Sequence, residues 1–207
     1  MRKITTLALG VIAAGLTWFE PVHARLLGMP MGLQSAIQRI KLETPTLPPM
    51  AYTQFCLRYR DECRTRPMFR GGPVRLTEDR WGDLKEVNQM VNREIAPERN
   101  ELGLAGEQWV INPARGDCND YAVSKRHELL ARGWPARALL LSEVVVNSGE
   151  HHLILVVRTT SGDLVLDNMT SQIKPWSRVP YRWVRMQMPN SKLWTTIASS
   201  RVWVASD

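Results

Sequence analysis

The sequence predicts an α+β domain in which a helix that begins at a cysteine packs on an antiparallel β-sheet. Two stretches, residues 77–95 and 118–132, repeat apolar residues at spacings of three and four, which is typical of amphipathic helices. Three apolar, β-type runs follow at residues 137–146, 151–159 and 162–168, with only short turn sequences between them. Strands joined by such short turns run antiparallel. Helices followed by strands indicate the α+β class.

The chain opens with the pattern of a secretory signal peptide. Arg2 and Lys3 precede an uncharged apolar run over residues 4–18, and Ala24 supplies the small residue that a signal peptidase needs. The run is shorter than the ~20 residues that a membrane span requires, and an uncleaved anchor is the alternative. We expect residues 1–24 to be removed, which would leave a periplasmic or secreted mature protein that does not span a membrane.

The next segment, residues 25–48, has only a loose pattern and is expected to be poorly ordered. Pro45, Pro48 and Pro49 make the approach to the domain stiff and extended, because proline fixes φ and cannot donate a backbone hydrogen bond. We therefore place the folded domain at residues 49–207, a length that suits a single hydrophobic core.

The first predicted helix begins near Thr77, whose side chain can cap it, and acidic residues follow in its first turn. Its apolar residues form one stripe, which is expected to be buried in the core. Pro97 ends the pattern. The stripe consists of Trp81, Leu84, Val87, Met90, Val91 and Ile95.

The second predicted helix begins at Cys118, directly after Gly116 and Asp117, and ends at Gly133. In the first turn of a helix, unpaired backbone N–H groups and the positive end of the helix dipole favour an anion. We therefore expect the thiol of Cys118 to have a lowered pKa and to be a usable nucleophile. A small buried cysteine that fills a gap in the core is the alternative.

Two of the β-type runs can bring a histidine and a carboxylate together. If Thr160 and Ser161 form the turn between them, Asp167 faces Ile154, and His152 lies one diagonal step away on the same face. Diagonal neighbours in an antiparallel pair are about 7–8 Å apart, within reach of a hydrogen bond between side chains.

His151 points to the opposite face, because side chains alternate along a strand. Opposite Cys118, His152 and Asp167 would complete an arrangement of nucleophile, base and orienting carboxylate.

Three ordered motifs resemble the bacterial transglutaminase-like cysteine peptidases, which include LapG-like periplasmic proteases that release biofilm adhesins. They are Gly-Asp-Cys-Asn-Asp-Tyr-Ala at residues 116–122, the strand headed by His152, and Gly-Asp-Leu-Val-Leu-Asp-Asn at residues 162–168. The resemblance covers roughly residues 45–195. It implies a papain-like or transglutaminase-like fold with Cys118, His152 and Asp167 as the catalytic triad, and it favours His152 over His151.

The backbone N–H of Cys118 is the first candidate for stabilising an oxyanion. Gln108 and Trp109, in the loop just before the cysteine, are further candidates. For Trp109 the alternative is a packed core side chain.

The other two cysteines, Cys56 and Cys63, are a candidate disulfide, because export makes oxidation plausible. In one continuous helix, seven residues at ~1.5 Å each would separate their Cα atoms beyond the ~7 Å limit for a bridge. The bridge therefore requires the helix to end between them. Pairing them would leave Cys118 as the single free thiol, and two separate thiols on one helix face are the alternative. A metal site at this pair is not expected, because further ligands at suitable spacing are missing.

Calcium is the point at which the chain departs from the family that it resembles. In the adhesin-releasing members, acidic residues on both sides of the nucleophile bind calcium, and the second of them is typically Glu. Here Asp117 precedes Cys118, but neutral Asn119 follows it, with Asp120 next. Because calcium affinity rises with the charge of the ligands, we expect these three candidates to bind calcium weakly and the activity not to require it.

The formal net charge is +7, but the 27 Lys and Arg residues are scattered and no nucleic-acid-binding motif accompanies them. We therefore expect no nucleic-acid partner. A basic surface suits an acidic substrate or the cell envelope, and a merely solubilising surface is the alternative. The resemblance implies a protein substrate in the envelope and admits an inhibitory partner at the membrane.

These features together predict an exported cysteine peptidase that cleaves a peptide bond in an envelope or surface protein through a thioester intermediate. Transamidase or amidase chemistry on glutaminyl substrates is one alternative, because hydrolysis and acyl transfer share the same triad. A catalytically silent envelope binding protein is the other.

Overall fold

The computed structural model describes residues 39–64, 73–99, 106–189, 191 and 193–198. The proposed signal peptide at residues 1–24 lies outside these described residues. The three α-helices of the described residues are α1 Met50–Arg58, α2 Glu78–Glu94 and α3 Cys118–Ala131, and 3-10 turns cover Arg60–Cys63, Ala136–Ala138 and Trp176–Arg178. The strands are β1 Leu42–Thr46, β2 Ala96–Pro97, β3 Arg115–Gly116, β4 Leu139–Val145, β5 His151–Thr159, β6 Gly162–Leu166, β7 Lys174–Pro175, β8 Arg182–Gln187 and β9 Trp194–Ile197.

The main sheet has seven strands in the order β1-β9-β8-β4-β5-β6-β7, and every neighbouring pair in it is antiparallel. The predicted meander of three consecutive strands is therefore confirmed as β4-β5-β6. The short strands β2 and β3 pair in parallel and join the end of α2 to the start of α3. The α+β class and the helix packed on an antiparallel sheet are as the sequence predicts.

Side chains of the sheet alternate between two apolar clusters, one on each face. Leu153, Leu155 and Val157 of β5 pack with α2 and α3. Ile154 and Val156 point to the other face, which is covered by residues such as Trp176. The predicted stripe of α2 packs against the helical side, since Leu84, Val87, Val91 and Ile95 are buried there while Trp81 and Met90 are partly buried against the same cluster.

The start of the folded part differs from the prediction. Residues 42–46 were expected to belong to a poorly ordered segment, yet they form strand β1 at the edge of the main sheet, paired with β9. Ile40 is buried just before this strand, and its N–H donates to Asp163 Oδ2 at 2.8 Å. Pro45 is tolerated because an edge strand leaves one side of its backbone unpaired.

Cys56 and Cys63 form a disulfide with Cα atoms 5.5 Å apart. The helix α1 ends at Arg58, between the two cysteines, as the geometry of a bridge requires. The bridged segment carries Glu62, which pairs with Arg126 of α3 at 2.8 Å and contacts the ring of His127 at 2.7 Å. The disulfide thus fastens this segment beside the helix that begins at Cys118.

Within the described residues, no helix combines the length and the apolar character needed to cross a bilayer.

Candidate active site

Cys118 is the first residue of α3, and the residues around it form one interlocked helix cap. The Asp117 side chain accepts a hydrogen bond from the N–H of Asn119 at 2.9 Å, and Asp120 Oδ2 accepts one from the N–H of Asp117 at 3.0 Å. Asp120 Oδ1 also accepts from the N–H of Val110 at 2.7 Å, which ties the preceding loop to the cap. The cap fixes the backbone on both sides of Cys118.

Gly116 is required by this cap for a steric reason. A Cβ atom at this position would lie 2.3 Å from Asp120 Oδ2, closer than non-bonded atoms can approach. The carboxylate of Asp120 can reach the N–H of Asp117 only because residue 116 has no side chain. This requirement accounts for the glycine at position 116, directly before the capping residue Asp117.

The thiol of Cys118 lies at the end of the sheet, beside β5. The two-residue turn at 160–161 makes Thr159 and Gly162 a hydrogen-bonded pair. Every second residue of β5 before Thr159 therefore directs its backbone N–H and C=O groups toward β6, as Val157 and Leu155 do. The backbone groups of Leu153 are directed to the same side, but β6 ends at Leu166 and offers them no partner. The N–H of Leu153 donates to the thiol instead. The sulfur is therefore adjacent to the backbone of the residue that follows His152.

The predicted hairpin between β5 and β6 is confirmed. Thr159 pairs with Gly162 and Leu155 with Leu166, which is the register expected from a turn at Thr160 and Ser161. His152 and Asp167 meet as a result, with 2.8 Å between Nε2 and Oδ1. Both are buried, with exposed fractions of 7% and 2%.

His151 is held elsewhere, since its Nδ1 atom contacts the carboxylate of Glu143 on β4 and its side chain is exposed. The two neighbouring histidines therefore have different surroundings. Only His152 reaches Asp167.

The thiol differs from its prediction in its acidity. Burial raises the pKa of Cys118 to about 12; the N–H of Leu153 lowers it, and the carboxylates of Asp117, Glu107 and Glu150 raise it further. The expectation of a lowered pKa considered only the helix dipole. It was wrong because desolvation and three nearby negative charges oppose the thiolate more strongly.

Asp167 is held by more partners than the sequence suggested. Its Oδ1 atom accepts from the N–H of Met169 at 3.1 Å as well as contacting His152, and its Oδ2 atom accepts from the hydroxyl of Tyr181 at 2.6 Å. Burial raises the pKa of Asp167, but the hydrogen bonds from His152 and Tyr181 lower it more, so that it lies below its ordinary value. The carboxylate therefore stays ionised at neutral pH.

Tyr181 and Lys125 are two residues near this site that the sequence reasoning did not identify. Tyr181 directly precedes β8, and no local pattern connects it with Asp167. Lys125 is only 1% exposed on α3; burial lowers its pKa to about 7, whereas the charge of Asp167 raises it. The available signal for Lys125 was its spacing of four residues from Tyr121 and from Leu129, which are both buried on the same helix.

The two side chains predicted to help stabilise the oxyanion, Gln108 and Trp109, form other contacts in the structure. Gln108 is exposed, and its Oε1 atom accepts from Arg58 at 2.8 Å. Trp109 is 2% exposed and packs against Tyr52 and Phe55, while its indole N–H donates to Glu107 at 2.9 Å. Trp109 is thus the packed core residue of the alternative, and the backbone N–H of Cys118 is the remaining predicted donor.

The three candidate calcium ligands, Asp117, Asn119 and Asp120, also form hydrogen bonds within the protein. Both carboxylate oxygens of Asp120 accept backbone hydrogen bonds, and one oxygen of Asp117 does the same. The side-chain N–H of Asn119 donates to Glu107 at 2.6 Å. Among the described parts of the chain, no group of three or more His, Cys, Asp or Glu side chains is arranged to hold a metal ion.

A groove of about 380 Å³ opens beside Met169 and Tyr181, the two residues whose backbone N–H and hydroxyl donate to Asp167. Asn147 and Ser148 from the β4–β5 turn, Met169 and Tyr181 line it, and Lys174 is the one charged side chain of this lining. Tyr181 therefore contacts Asp167 with its hydroxyl and also faces a groove that is open to solvent.

The chain matches a family model described as bacterial transglutaminase-like cysteine proteinase BTLCP over residues 42–202. It is also similar to solved structures of LapG from Legionella pneumophila. One is 25% identical, with 56% of this chain and 68% of that chain covered and a TM-score of 0.48. A calcium-bound form is 26% identical, with coverages of 59% and 73% and a TM-score of 0.49. An EGTA-treated form is 24% identical, with coverages of 58% and 72% and a TM-score of 0.48. No curated protein matches the sequence.

Proposed function

Because the chain belongs to the bacterial transglutaminase-like cysteine proteinases and is a cysteine peptidase of that type, we propose that Cys118, His152 and Asp167 are its catalytic triad. The observation that carries this proposal is the end of the β5–β6 hairpin. There the Asp167 carboxylate holds the ring of His152, and the next backbone N–H, that of Leu153, donates to the thiol of Cys118.

In the proposed mechanism, Asp167 fixes the tautomer of the imidazole. A hydrogen bond from Nε2–H of His152 to Asp167 Oδ1 leaves Nδ1 with its lone pair available to the thiol. As the sulfur attacks the carbonyl carbon of a peptide bond, the thiol proton passes to Nδ1. The carbonyl oxygen becomes an oxyanion that the backbone N–H of Cys118 stabilises at the start of α3.

The tetrahedral intermediate then collapses. The C–N bond breaks, Nδ1–H of His152 protonates the leaving amine, and a thioester remains on Cys118. Water attacks the thioester carbon while Nδ1 accepts its proton. The second collapse releases the carboxylic acid and returns the proton to the sulfur.

The raised pKa of the thiol indicates when the proton transfer takes place. A thiol whose pKa lies near 12 is protonated in the resting protein at neutral pH. The proton therefore moves to His152 during the attack on the substrate, rather than residing there beforehand. Substrate binding assists this transfer, because it excludes water from the site and strengthens the electrostatic interactions within it.

We propose that the substrate is a protein of the cell envelope and that the chain is exported. The proposed signal sequence at residues 1–24 supports export, and the disulfide between Cys56 and Cys63 is typical of an oxidising compartment.

The experiment that tests this function is a comparison of new protein N-termini in the envelope of cells that carry the wild type, Cys118→Ala or His151→Ala. The wild type and His151→Ala should generate the same cleaved N-termini, because His151 is bound to Glu143 and not to Asp167. Cys118→Ala should generate none of them. Cleavage that persists in Cys118→Ala would exclude the proposed nucleophile.

We further propose that calcium is not required. The oxygens of Asp120 serve the helix cap, and Asn119 is neutral and donates to Glu107. These residues fit calcium poorly, because the ion needs several free oxygen ligands and its affinity rises with their charge.

For the wild type, we expect neither 1 mM calcium nor EGTA to change the melting temperature. Asn119→Glu should introduce a calcium-dependent rise of several degrees, because a bound ion stabilises the folded state and the new carboxylate lies near Glu107 and Asp117. Thermal melts with and without calcium measure this effect. Chelator-sensitive activity of the wild type that low micromolar calcium restores would contradict the proposal.

A further inference from the structure

We propose that Tyr181 is a positioning residue of this peptidase, whose hydroxyl holds the Asp167 carboxylate in the orientation that serves His152. The proposal rests on the triad proposed above. It adds a residue from outside the three motifs, on the segment that leads into β8.

The hydrogen bonds of the Asp167 carboxylate show why the contact from Tyr181 matters. The carboxylate rotates about a terminal bond with a broad torsional preference, so that a single hydrogen bond to His152 fixes it poorly. Tyr181 binds Oδ2 at 2.6 Å, while Oδ1 serves His152 at 2.8 Å and the N–H of Met169 at 3.1 Å. With both oxygens engaged, rotation of the carboxylate would break at least one bond to the hydroxyl or the ring.

The position of Asp167 in the chain makes this support necessary. Asp167 is the first residue after β6, so the hydrogen bonds of the sheet no longer fix its backbone. Its carbonyl oxygen accepts from the side chain of Asn92 at 3.0 Å, which anchors the main chain but leaves the carboxylate unaffected. The carboxylate itself depends on His152, Met169 and Tyr181.

Tyr181 reaches Asp167 from a distant part of the sheet. It precedes β8, and β8 is separated from β6 by β4 and β5. Its ring lies edge-on to the ring of His152, with the two centroids 6.0 Å apart. Tyr181 therefore contacts both His152 and Asp167. A tyrosine that only covered the sheet would not need to contact both.

The experiment measures the rate at which iodoacetamide alkylates Cys118 between pH 6 and pH 10, in the full folded chain with its disulfide intact. This readout follows how readily the thiol of Cys118 loses its proton as it attacks the reagent, and it needs no knowledge of the substrate. The variants are Tyr181→Phe, Asp167→Asn and the two combined. Tyr52→Phe is the matched control, since its buried hydroxyl accepts a hydrogen bond from Gln187 instead of serving the triad.

We expect Tyr181→Phe to slow alkylation at pH 7 by about 10-fold, the effect of losing one hydrogen bond to a charged group. In the Asp167→Asn background, Tyr181→Phe should slow alkylation little further. If Tyr181 acts through Asp167, the effects of the two substitutions do not add. Tyr52→Phe should lower the melting temperature and leave the alkylation rate unchanged.

Three results would overturn the proposal, and they separate it from the triad. Wild-type alkylation in Tyr181→Phe, with or without a lower melting temperature, reduces Tyr181 to a structural residue and leaves the triad intact. A slowing that is equally large in the Asp167→Asn background excludes action through Asp167. An alkylation rate that is insensitive to Asp167→Asn refutes the triad, and the role of Tyr181 with it.

Discussion

The surroundings of Cys118, the proposed nucleophile, oppose a negative charge on its sulfur. The helix start and the N–H of Leu153 favour the thiolate, but burial and three carboxylates raise the pKa of the thiol to about 12. These surroundings keep the sulfur protonated at neutral pH in the absence of a substrate. A protonated sulfur resists oxidation, because the thiolate is the form that oxidants attack.

The effect of these carboxylates can be measured at Glu150, which is exposed. A raised thiol pKa means that the thiolate fraction increases with pH across the whole neutral range. Glu150→Gln removes one negative charge, lowers the pKa of Cys118 and should increase the alkylation rate at pH 8 about twofold at low salt. The increase should diminish at 1 M salt, where the charge of Glu150 is screened.

Glu43→Gln on the edge strand β1 is the control for this experiment, because Glu43 is exposed and does not contribute to the pKa of the thiol. An unchanged rate in Glu150→Gln would mean that the charge of Glu150 does not affect the acidity of Cys118.

At the level of the elements, the start of α3 and the β5–β6 hairpin together make the site. The hairpin was predictable from sequence, because a two-residue turn fixes the register and the register fixes which side chains meet. The contact from Tyr181 was not predictable, since it depends on the order β8-β4-β5-β6 in the sheet. Local patterns carry no information about such non-neighbouring strands.

The cap of α3 should be sensitive to a single methyl group at Gly116. Gly116→Ala places a Cβ atom 2.3 Å from Asp120 Oδ2 and should lower the free energy of unfolding by about 2 kcal/mol through the lost cap and the steric clash. Urea denaturation of the purified protein measures this loss.

Gly82 in α2 provides the opposite case, because a Cβ atom at this position would meet no atom within 4 Å beyond its chain neighbours and the backbone of its own helix. Gly82→Ala should raise the free energy of unfolding by about 0.5–1 kcal/mol, since alanine favours a helix over glycine. Equal effects at the two glycines would argue against the steric explanation for Gly116.

For the molecule as a whole, the main departure from the sequence prediction is the first strand. The three prolines between residues 45 and 49 suggested an extended approach, and extended backbone is indeed present, but it is paired with β9. Sequence patterns could not reveal this pairing, because β1 and β9 lie about 150 residues apart in the chain. The burial of Ile40 shows that the folded unit begins before residue 42.

A chain that starts at residue 49 should therefore be less stable than one that starts at residue 39. The shorter chain loses the burial of Ile40 and its hydrogen bond to Asp163, which is fully buried, and it exposes β9 as a new edge. We expect a loss of about 3 kcal/mol in the free energy of unfolding. Thermal and urea melts of the two chains measure it, and equal stabilities would show that β1 contributes nothing to the fold.

The early end of β6 gives this protein a spectroscopic probe at Cys118. The amide proton of Leu153 points to the sulfur rather than to a neighbouring strand. Its nuclear magnetic resonance frequency will therefore change whenever the sulfur ionises, is acylated or is oxidised. A single resonance in a ¹⁵N-labelled sample can thus follow the chemical state of Cys118 in real time, without any substituent attached to the protein.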